Sequence, residues 1–361
     1  MRTTMEKIPV GILGATGMVG QNYLRLLENH PWFEVTFLCA SPHSAGKTYE
    51  AAVERRWHMP TPIPKRESQL YVYSIDQISK ALEKCQFVFS AIDTDVAKEY
   101  EEQYAAAGLP VVSNAGYHRQ TPDVPVLIPE INASHLSILP SQQQKRGWEK
   151  GFIVTKPNCS IQSYMIPLAA LHEKFQLKKI LVTTMQAVSG AGYPGVPSWD
   201  IYENVVPYIA KEEEKTENEP LKIFGSIVDN EIIPTPDVRI SAHCNRVPVL
   251  DGHLACVSVE FATPPSREEI LSIWNAYTPI TQTLELPSAP EKTILYREEL
   301  NRPQPRLDRD AGKGMAITVG RLRPCNLLDF RFVALSHNTL RGAAGGGILN
   351  AELLFTQRYL T

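Results

Sequence analysis

Cationic excess is missing from this chain: 36 Lys and Arg stand against 39 Asp and Glu, a net charge of −3. A partner with a phosphate backbone is met by a surplus of cations that displace its counterions, so no nucleic-acid partner is expected. Long apolar runs are also lacking. None approaches the roughly 18 residues that span a bilayer, which argues against a membrane partner. The opening Met1–Lys7 stretch has no apolar segment of the kind a secretory leader needs. Cysteines number only six in 361 residues, too few for a disulfide scaffold, and a reducing, cytoplasmic setting is the expectation. Repeats and low-complexity tracts are absent. What remains is ordinary for a globular protein: 43% hydrophobic residues, 21% charged. At about 150 residues per domain, the length predicts two domains.

The apolar run 8–13 breaks at Gly14 and gives way to a helical pattern carried by Val19, Tyr23, Leu24 and Leu27. A second apolar run follows at 35–40, so strand, turn, helix and strand succeed one another as a βαβ unit. The alternation continues with a helix near 76–83, a strand at 87–91, a helix near 95–107 and a strand at 110–113. This predicts an open parallel sheet covered on both faces. Residues 141–150 are polar and read as a surface loop. Beyond them 181–185, 256–259 and 332–335 read as strands of a second, mixed sheet, and 342–357 as an apolar C-terminal helix. The fold class is therefore α/β: a Rossmann-type dinucleotide-binding domain plus an α+β domain with a mixed sheet.

The segment Gly14-Ala15-Thr16-Gly17-Met18-Val19-Gly20 lies between the first strand and the first helix. Small residues there let the backbone approach a pyrophosphate at the positive end of the helix. The spacing is G-x-x-G-x-x-G, with Thr16 where the commoner fingerprint has its second glycine. The end of the second strand, Ala40–Lys47, carries no carboxylate for a ribose 2′-hydroxyl. It offers Ser41, Ser44 and Lys47 instead, which favours NADP over NAD.

Cys159 follows a strand pattern at 151–155 and precedes an apolar helical stretch at 163–171. That context predicts a cysteine at or just before a helix N-terminus, where the dipole favours the thiolate that attacks carbonyls. Cys39 and Cys85 read as core residues, and Cys325 as an uninvolved loop residue.

Taken together, GATGMVG (14–20), ASPHSAGK (40–47), SNAGYHR (113–119), VPVLIPEIN (124–132), KPNCS (156–160), QAVSGAG (186–192), NRVPVLDGH (245–253) and RGAAGG (341–346) resemble the aspartate-β-semialdehyde dehydrogenase family nearly end to end. GRLR (320–323) and the PEIN segment resemble its archaeal and fungal branch. The resemblance implies an NADP-dependent, phosphate-dependent enzyme that reduces aspartyl phosphate to the semialdehyde through a thioester on Cys159, a step of amino-acid biosynthesis. His253 would be the acid/base, at home near pH 7 without a large pKa shift, and Gln186 would orient the substrate. Arg246 would pair with the substrate carboxylate as a bidentate fork, and Glu212 or Glu213 would meet its ammonium. Asn114, Arg119 and Lys215 match the positions for inorganic phosphate, Asn338 the position at the nicotinamide, and Ser189 and Gly190 fall in the cofactor-binding set. One departure is visible. His118-Arg119-Gln120 stands where the family often has Phe-Arg-Met.

The same resemblance implies a division into a cofactor domain, 1–157 with 339–361, and a catalytic and dimerisation domain, 158–338, in a homodimer or homotetramer. Four other readings compete with this one. Malonyl-CoA reductases share nearly the same catalytic frame on a thioester substrate, whereas N-acetylglutamyl-phosphate reductases typically show Gly-Cys-Tyr-Pro in place of Asn158-Cys159-Ser160-Ile161. His243, Cys244, His253 and Cys256 could be read as zinc ligands, but paired Cys-x-x-Cys spacing is absent and no metal is expected. A cofactor-binding module without catalysis sits poorly with Cys159, Gln186, Arg246 and His253 together.

Overall fold

The computed structural model describes residues 6–360. Residues 1–5 and 361, the outer ends of the expected cofactor domain, lie outside the described residues. Seven strands build the first sheet: β1 (Ile8–Leu13), β2 (Phe33–Ala40), β3 (Lys47–Thr48), β4 (Tyr71–Ser74), β5 (Phe87–Ser90), β6 (Val111–Ser113) and β7 (Ile153–Thr155). Their order is β3-β4-β2-β1-β5-β6-β7. All neighbouring pairs are parallel except β3 on β4, so the sheet departs from the all-parallel expectation only at a two-residue edge. An edge strand this short offers little unpaired backbone to another chain. The strand order reverses at β1 and β5, which makes the carboxyl end of β1 the crevice where open α/β sheets take ligands.

The second sheet has six strands: β8 (Leu177–Gln186), β11 (Arg239–Arg246), β12 (His253–Phe261), β13 (Ile294–Arg297), β14 (Ile317–Pro324) and β15 (Phe330–Ser336). Between β8 and β11 a small separate hairpin joins β9 (Ser226–Val228) to β10 (Glu231–Ile233). The order β11-β8-β12-β15-β14-β13 mixes parallel and antiparallel pairs. Buried residues alternate along each central strand, with Val182, Thr184 and Gln186 in β8 and Ala255, Val257 and Val259 in β12. Period-two burial means one face of this sheet packs, here under the helices Met165–Phe175 and Arg267–Ala276. On the other face Leu181, Ser241, His243 and Cys256 are exposed.

Two sequence expectations are corrected here. Residues 141–150 are not a loop: a helix runs Leu139–Arg146 and ends at Gly147 in the left-handed region. Its polar sequence hides an inward face, because the buried Gln142 amide satisfies backbone groups of Asp123 and Ile153. The C-terminal helix begins at Gly345, later than expected, after an irregular turn over Leu340–Ala344 with Ala343 outside helical geometry. That final helix returns to the first domain, where Ile348, Leu349 and Leu353 join the core around β1 and β5.

Candidate active site

Each sheet delivers its functional residues at one end. β1 ends in the glycine loop and β7 runs into Lys156-Pro157-Asn158-Cys159. In the second sheet Arg246 is in register with Gln186 on parallel strands, and His253 opens the antiparallel neighbour β12 opposite Ser336. The turn after β15 supplies Asn338 and Gly342.

The glycine loop needs its glycines for space. Gly14 has a φ of +79°, and a Cβ there would lie 2.5 Å from the Ala91 carbonyl oxygen. At Gly20 a Cβ would meet the Gly14 carbonyl at 2.3 Å, so the helix Met18–Leu27 could not seat against the turn. A cleft of about 640 Å³ opens beside this loop, bounded also by Ser41, Asp76 and Tyr193. Tyr193 belongs to the second domain, and its ring stacks on His58 of the first with centroids 4.1 Å apart. Ser41 and Lys47 are exposed, whereas Ser44 is buried and its hydroxyl accepts from Arg56 at 3.0 Å. Arg56 is a cation near this loop that sequence reasoning passed over.

Cys159 is half-buried, with its Sγ 3.3 Å from His253 Nε2. The other imidazole nitrogen, Nδ1, accepts the Ala187 backbone N–H at 3.0 Å. A nitrogen that accepts an N–H carries no proton, so the neutral ring bears its proton on Nε2, facing the sulfur. Burial, with the Arg246 guanidinium and His337 adding to it, brings the imidazole down to about 3. The expectation of a histidine titrating near its ordinary value is thereby corrected: a buried ring beside a cation resists a second charge.

The helix-dipole expectation at Cys159 is corrected too. A short 3₁₀ turn, Ile161–Ser163, follows the cysteine, and the α-helix starts only at Met165. A dipole acts within about the first turn of its helix, so it does not reach Cys159. Burial and the Glu212 carboxylate push the Cys159 thiol up; Lys156, Arg119 and Arg246 pull the other way. The loop takes its shape from Asn158, whose Oδ1 accepts both the Ser160 N–H and its hydroxyl at 2.9 Å. Two glycines press on the pair. A Cβ at Gly342 would stand 2.8 Å from Cys159 Cβ, and one at Gly190 would stand 2.8 Å from Arg246 Nη1 and 3.0 Å from the His253 ring.

The helix Glu212–Ile223 collects the remaining groups. Glu212 is buried and accepts from Asn158 Nδ2 at 2.8 Å, Gln186 Nε2 at 3.1 Å and Lys215 Nζ at 2.8 Å. Glu213 turns away to accept the Cys244 N–H, which separates two glutamates that the sequence left undivided. Arg246 donates to the Ala187 carbonyl at 2.8 Å. Arg119 is buried, donating to the Asn114 carbonyl at 2.8 Å and to Glu219 at 3.0 Å. Its Nε, like Asn114 Oδ1, is buried without a partner among the described residues. Lys156 is buried beside this group, and burial together with the Arg119 guanidinium brings its ammonium down to about 7. Asn338 bridges the Gly252 N–H and the Ser189 hydroxyl, both at 2.8 Å.

The structure thus brings Cys159, His253, Gln186, Arg246, Glu212 and Lys215 together, with Arg119 and Asn114 alongside. Would-be zinc ligands divide between faces: His243 and Cys256 are exposed, Cys244 and His253 buried. Sequence reasoning missed Asn158, Lys156, Glu219 and Gly342 as parts of the site. The spacing 212, 215, 219, 222 was the available signal, since it repeats at helical intervals and puts four charged residues on one face.

A doubly wound domain with a glycine loop, facing a mixed-sheet domain with a paired cysteine and histidine, defines a class: two-domain dehydrogenases with a thiol nucleophile. The family model for the semialdehyde dehydrogenase NAD binding domain matches residues 9–139, and that for the semialdehyde dehydrogenase dimerisation domain matches 168–341. The aspartate-semialdehyde dehydrogenase of Archaeoglobus fulgidus is 46% identical, covering 97% of this chain and 99% of its own. That of Cryptococcus neoformans var. neoformans is 45% identical, covering 96% of each chain. The crystal structure of the Candida albicans enzyme with NADP superposes with a TM-score of 0.89 at 42% identity, covering 97% of this chain and 99% of that one. The chain belongs to the aspartate-semialdehyde dehydrogenase family.

Proposed function

We infer that the protein is a cytoplasmic, NADP-dependent aspartate-semialdehyde dehydrogenase that works through a thioester on Cys159 and exchanges it with inorganic phosphate. The observation that carries this reading is the Cys159–His253 contact set between an arginine, Arg246, and a carboxylate, Glu212. An α-amino acid needs both charges, one for each of its own.

NADP would be held at Gly14–Val19 and Ser41, with Ser189, Gly190 and Asn338 toward its nicotinamide end, and when bound it supplies or accepts the hydride. The cleft beside the Gly14–Val19 loop and the absence of a carboxylate at 40–47 fit that cofactor. Arg246 pairs with the substrate carboxylate and Glu212 with its ammonium, while Gln186 orients the carbonyl. The Cys159 thiolate adds to the aldehyde carbon, and its oxygen takes the negative charge. His253 Nε2–H is already a donor at this point, so the oxyanion is met without prior proton transfer. Loss of hydride leaves the acyl group on sulfur. Phosphate, held by Arg119 and Lys215, attacks the thioester, and the thiolate departs as the acyl phosphate forms; Asn114 shapes the pocket instead, because its Nδ2 is spent on Tyr23 and the Ser90 carbonyl. The biosynthetic direction reverses these steps.

The functional division we propose runs 1–157 with 339–361 for the cofactor and 158–338 for catalysis. Exposed Trp199, Tyr202 and Tyr208, with the open face of the second sheet, suit burial against a second copy in a homodimer or a dimer of dimers. No helix among the described residues is long and apolar enough to cross a membrane.

Intact-mass spectrometry tests the thioester directly. Enzyme given L-aspartate β-semialdehyde and NADP without phosphate should carry a covalent aspartyl group that added phosphate removes. Cys159→Ala should bind cofactor but carry no adduct. An adduct on Cys159→Ala, or none on the wild type, would refute the mechanism.

A further inference from the structure

Arg119 and the nucleophile loop come to the site on separate segments, one on the turn after β6 and the other after its parallel neighbour β7. A single side chain ties them. Glu219 is buried, its Oε1 accepts from Arg119 Nη1 at 3.0 Å, and its Oε2 accepts the Asn158 backbone N–H at 2.6 Å. Both carboxylate oxygens are therefore committed, one to the cation of the anion pocket and one to the residue before Cys159. The same helix holds the pocket's rim a turn further on. Lys222 is buried and donates to the carbonyls of Arg119, Thr121 and Val124 at 2.9, 2.6 and 2.8 Å.

We propose that Glu219 is a positioning residue for acyl transfer, setting the anion pocket at Arg119 in register with Cys159. The inference rests on the phosphate subsite read above. Phosphate must reach the thioester carbon from a fixed distance and angle, and small misplacements of reacting groups are costly in rate. Arg119 holds Nη1 against Glu219 and Nη2 against the Asn114 carbonyl, which commits two of its five N–H donors and leaves a free edge that includes the unpartnered Nε. With the guanidinium clamped on two sides, that free edge has one orientation, and the clamp is referenced to the backbone that carries the nucleophile.

Glutamine at this position is an informative replacement. An amide has one acceptor and one donor end, so it can satisfy Arg119 or Asn158 but turns an N–H toward the other. E219Q keeps the volume and breaks the register. E219D keeps both acceptors and the charge but is one methylene shorter.

The experiment compares wild type, E219Q and E219D in steady-state oxidation of L-aspartate β-semialdehyde, varying inorganic phosphate and semialdehyde separately. For E219Q the KM for phosphate should rise by about tenfold or more, as expected when a charge-assisted contact is lost. The KM for semialdehyde should change by less than about threefold, because Arg246 and Glu212 are held by their own contacts to Ala187, Gln186 and Lys215. E219D should fall between. In an Arg119→Lys background E219Q should add little, since the clamp is already broken. A merely structural glutamate would lower thermal stability and leave the ratio of the two KM values alone. Should E219Q not fold, E219D is judged by the same ratio. A phosphate-dependent wild type with an unmoved phosphate KM in the folded variant overturns the inference alone. A wild type indifferent to phosphate removes the subsite and the inference together.

Discussion

His253 faces Cys159 with a proton-bearing nitrogen, because its other nitrogen is occupied by the Ala187 amide. The imidazole is thus a hydrogen-bond donor to whatever charge appears beside the sulfur. It is a poor acceptor for the thiol proton, and its charged form is suppressed down to about pH 3.

This arrangement has a pH signature. A base brought down to about 3 stays neutral above that value, so His253 contributes no titration between about pH 5 and 8. The Cys159 thiol is raised by burial and by Glu212, so the thiolate accumulates only as pH climbs past its ordinary range. Alkylation by iodoacetamide should increase with pH throughout and show no plateau near neutrality. Arg246→Met removes a cation that favours the thiolate and should move the profile to higher pH. A movement to lower pH would contradict the assignment.

Gly342 sits against the nucleophile, where a Cβ would be 2.8 Å from Cys159 Cβ. Gly342→Ala should lower kcat by about one to two orders of magnitude through displacement of the sulfur. NADP binding, measured by fluorescence titration, should be nearly unchanged. Wild-type kcat in this variant would show that the loop yields without consequence.

Lys156 tests the cost of a buried cation. Its folded pKa of about 7 lies below the ordinary 10.5, so the unfolded chain binds the extra proton and stability rises with pH between those values. Lys156→Met should therefore be stabilised over the wild type most strongly below about pH 7, with the difference fading as pH approaches about 10.5. Thermal melts across this range check the trend. A constant difference would mean that the ammonium stays charged in the fold.

The serines of 40–47 should separate in function. Ser41 is exposed on the cleft, so Ser41→Ala should weaken NADP more than NAD. Ser44 is buried on Arg56, and Ser44→Ala should lower thermal stability modestly by removing one of that guanidinium's two acceptors, the other being the Ala52 carbonyl. Equal losses of NADP and NAD in Ser41→Ala would place the 2′-phosphate elsewhere.

Much of the site was legible because its demands are local. Gly14 and Gly20 stand where backbone meets backbone, and Cys159 follows a strand that hydrophobic patterning locates, whereas Arg246 and His253 were marked by the family resemblance alone. Features set by tertiary contact were harder to read. Helix 139–146 looked like a loop because its inward residue is a glutamine whose partners, Asp123 and Ile153, are distant in sequence. Helix 212–223 opens with three adjacent glutamates, and nothing local shows that Glu212, Glu219 and Lys222 point inward onto the loops after β6 and β7. The His253 pKa depends on burial beside Arg246, which strand pairing creates and composition cannot express.

The most direct test of the central claim is NADPH formation from L-aspartate β-semialdehyde, with and without inorganic phosphate, beside a malonyl-CoA reduction assay. Turnover that depends on phosphate, with no reduction of malonyl-CoA, is the predicted result. Reduction of malonyl-CoA without semialdehyde activity would keep the fold and Cys159 but contradict the roles given to Glu212 and the Arg119 pocket.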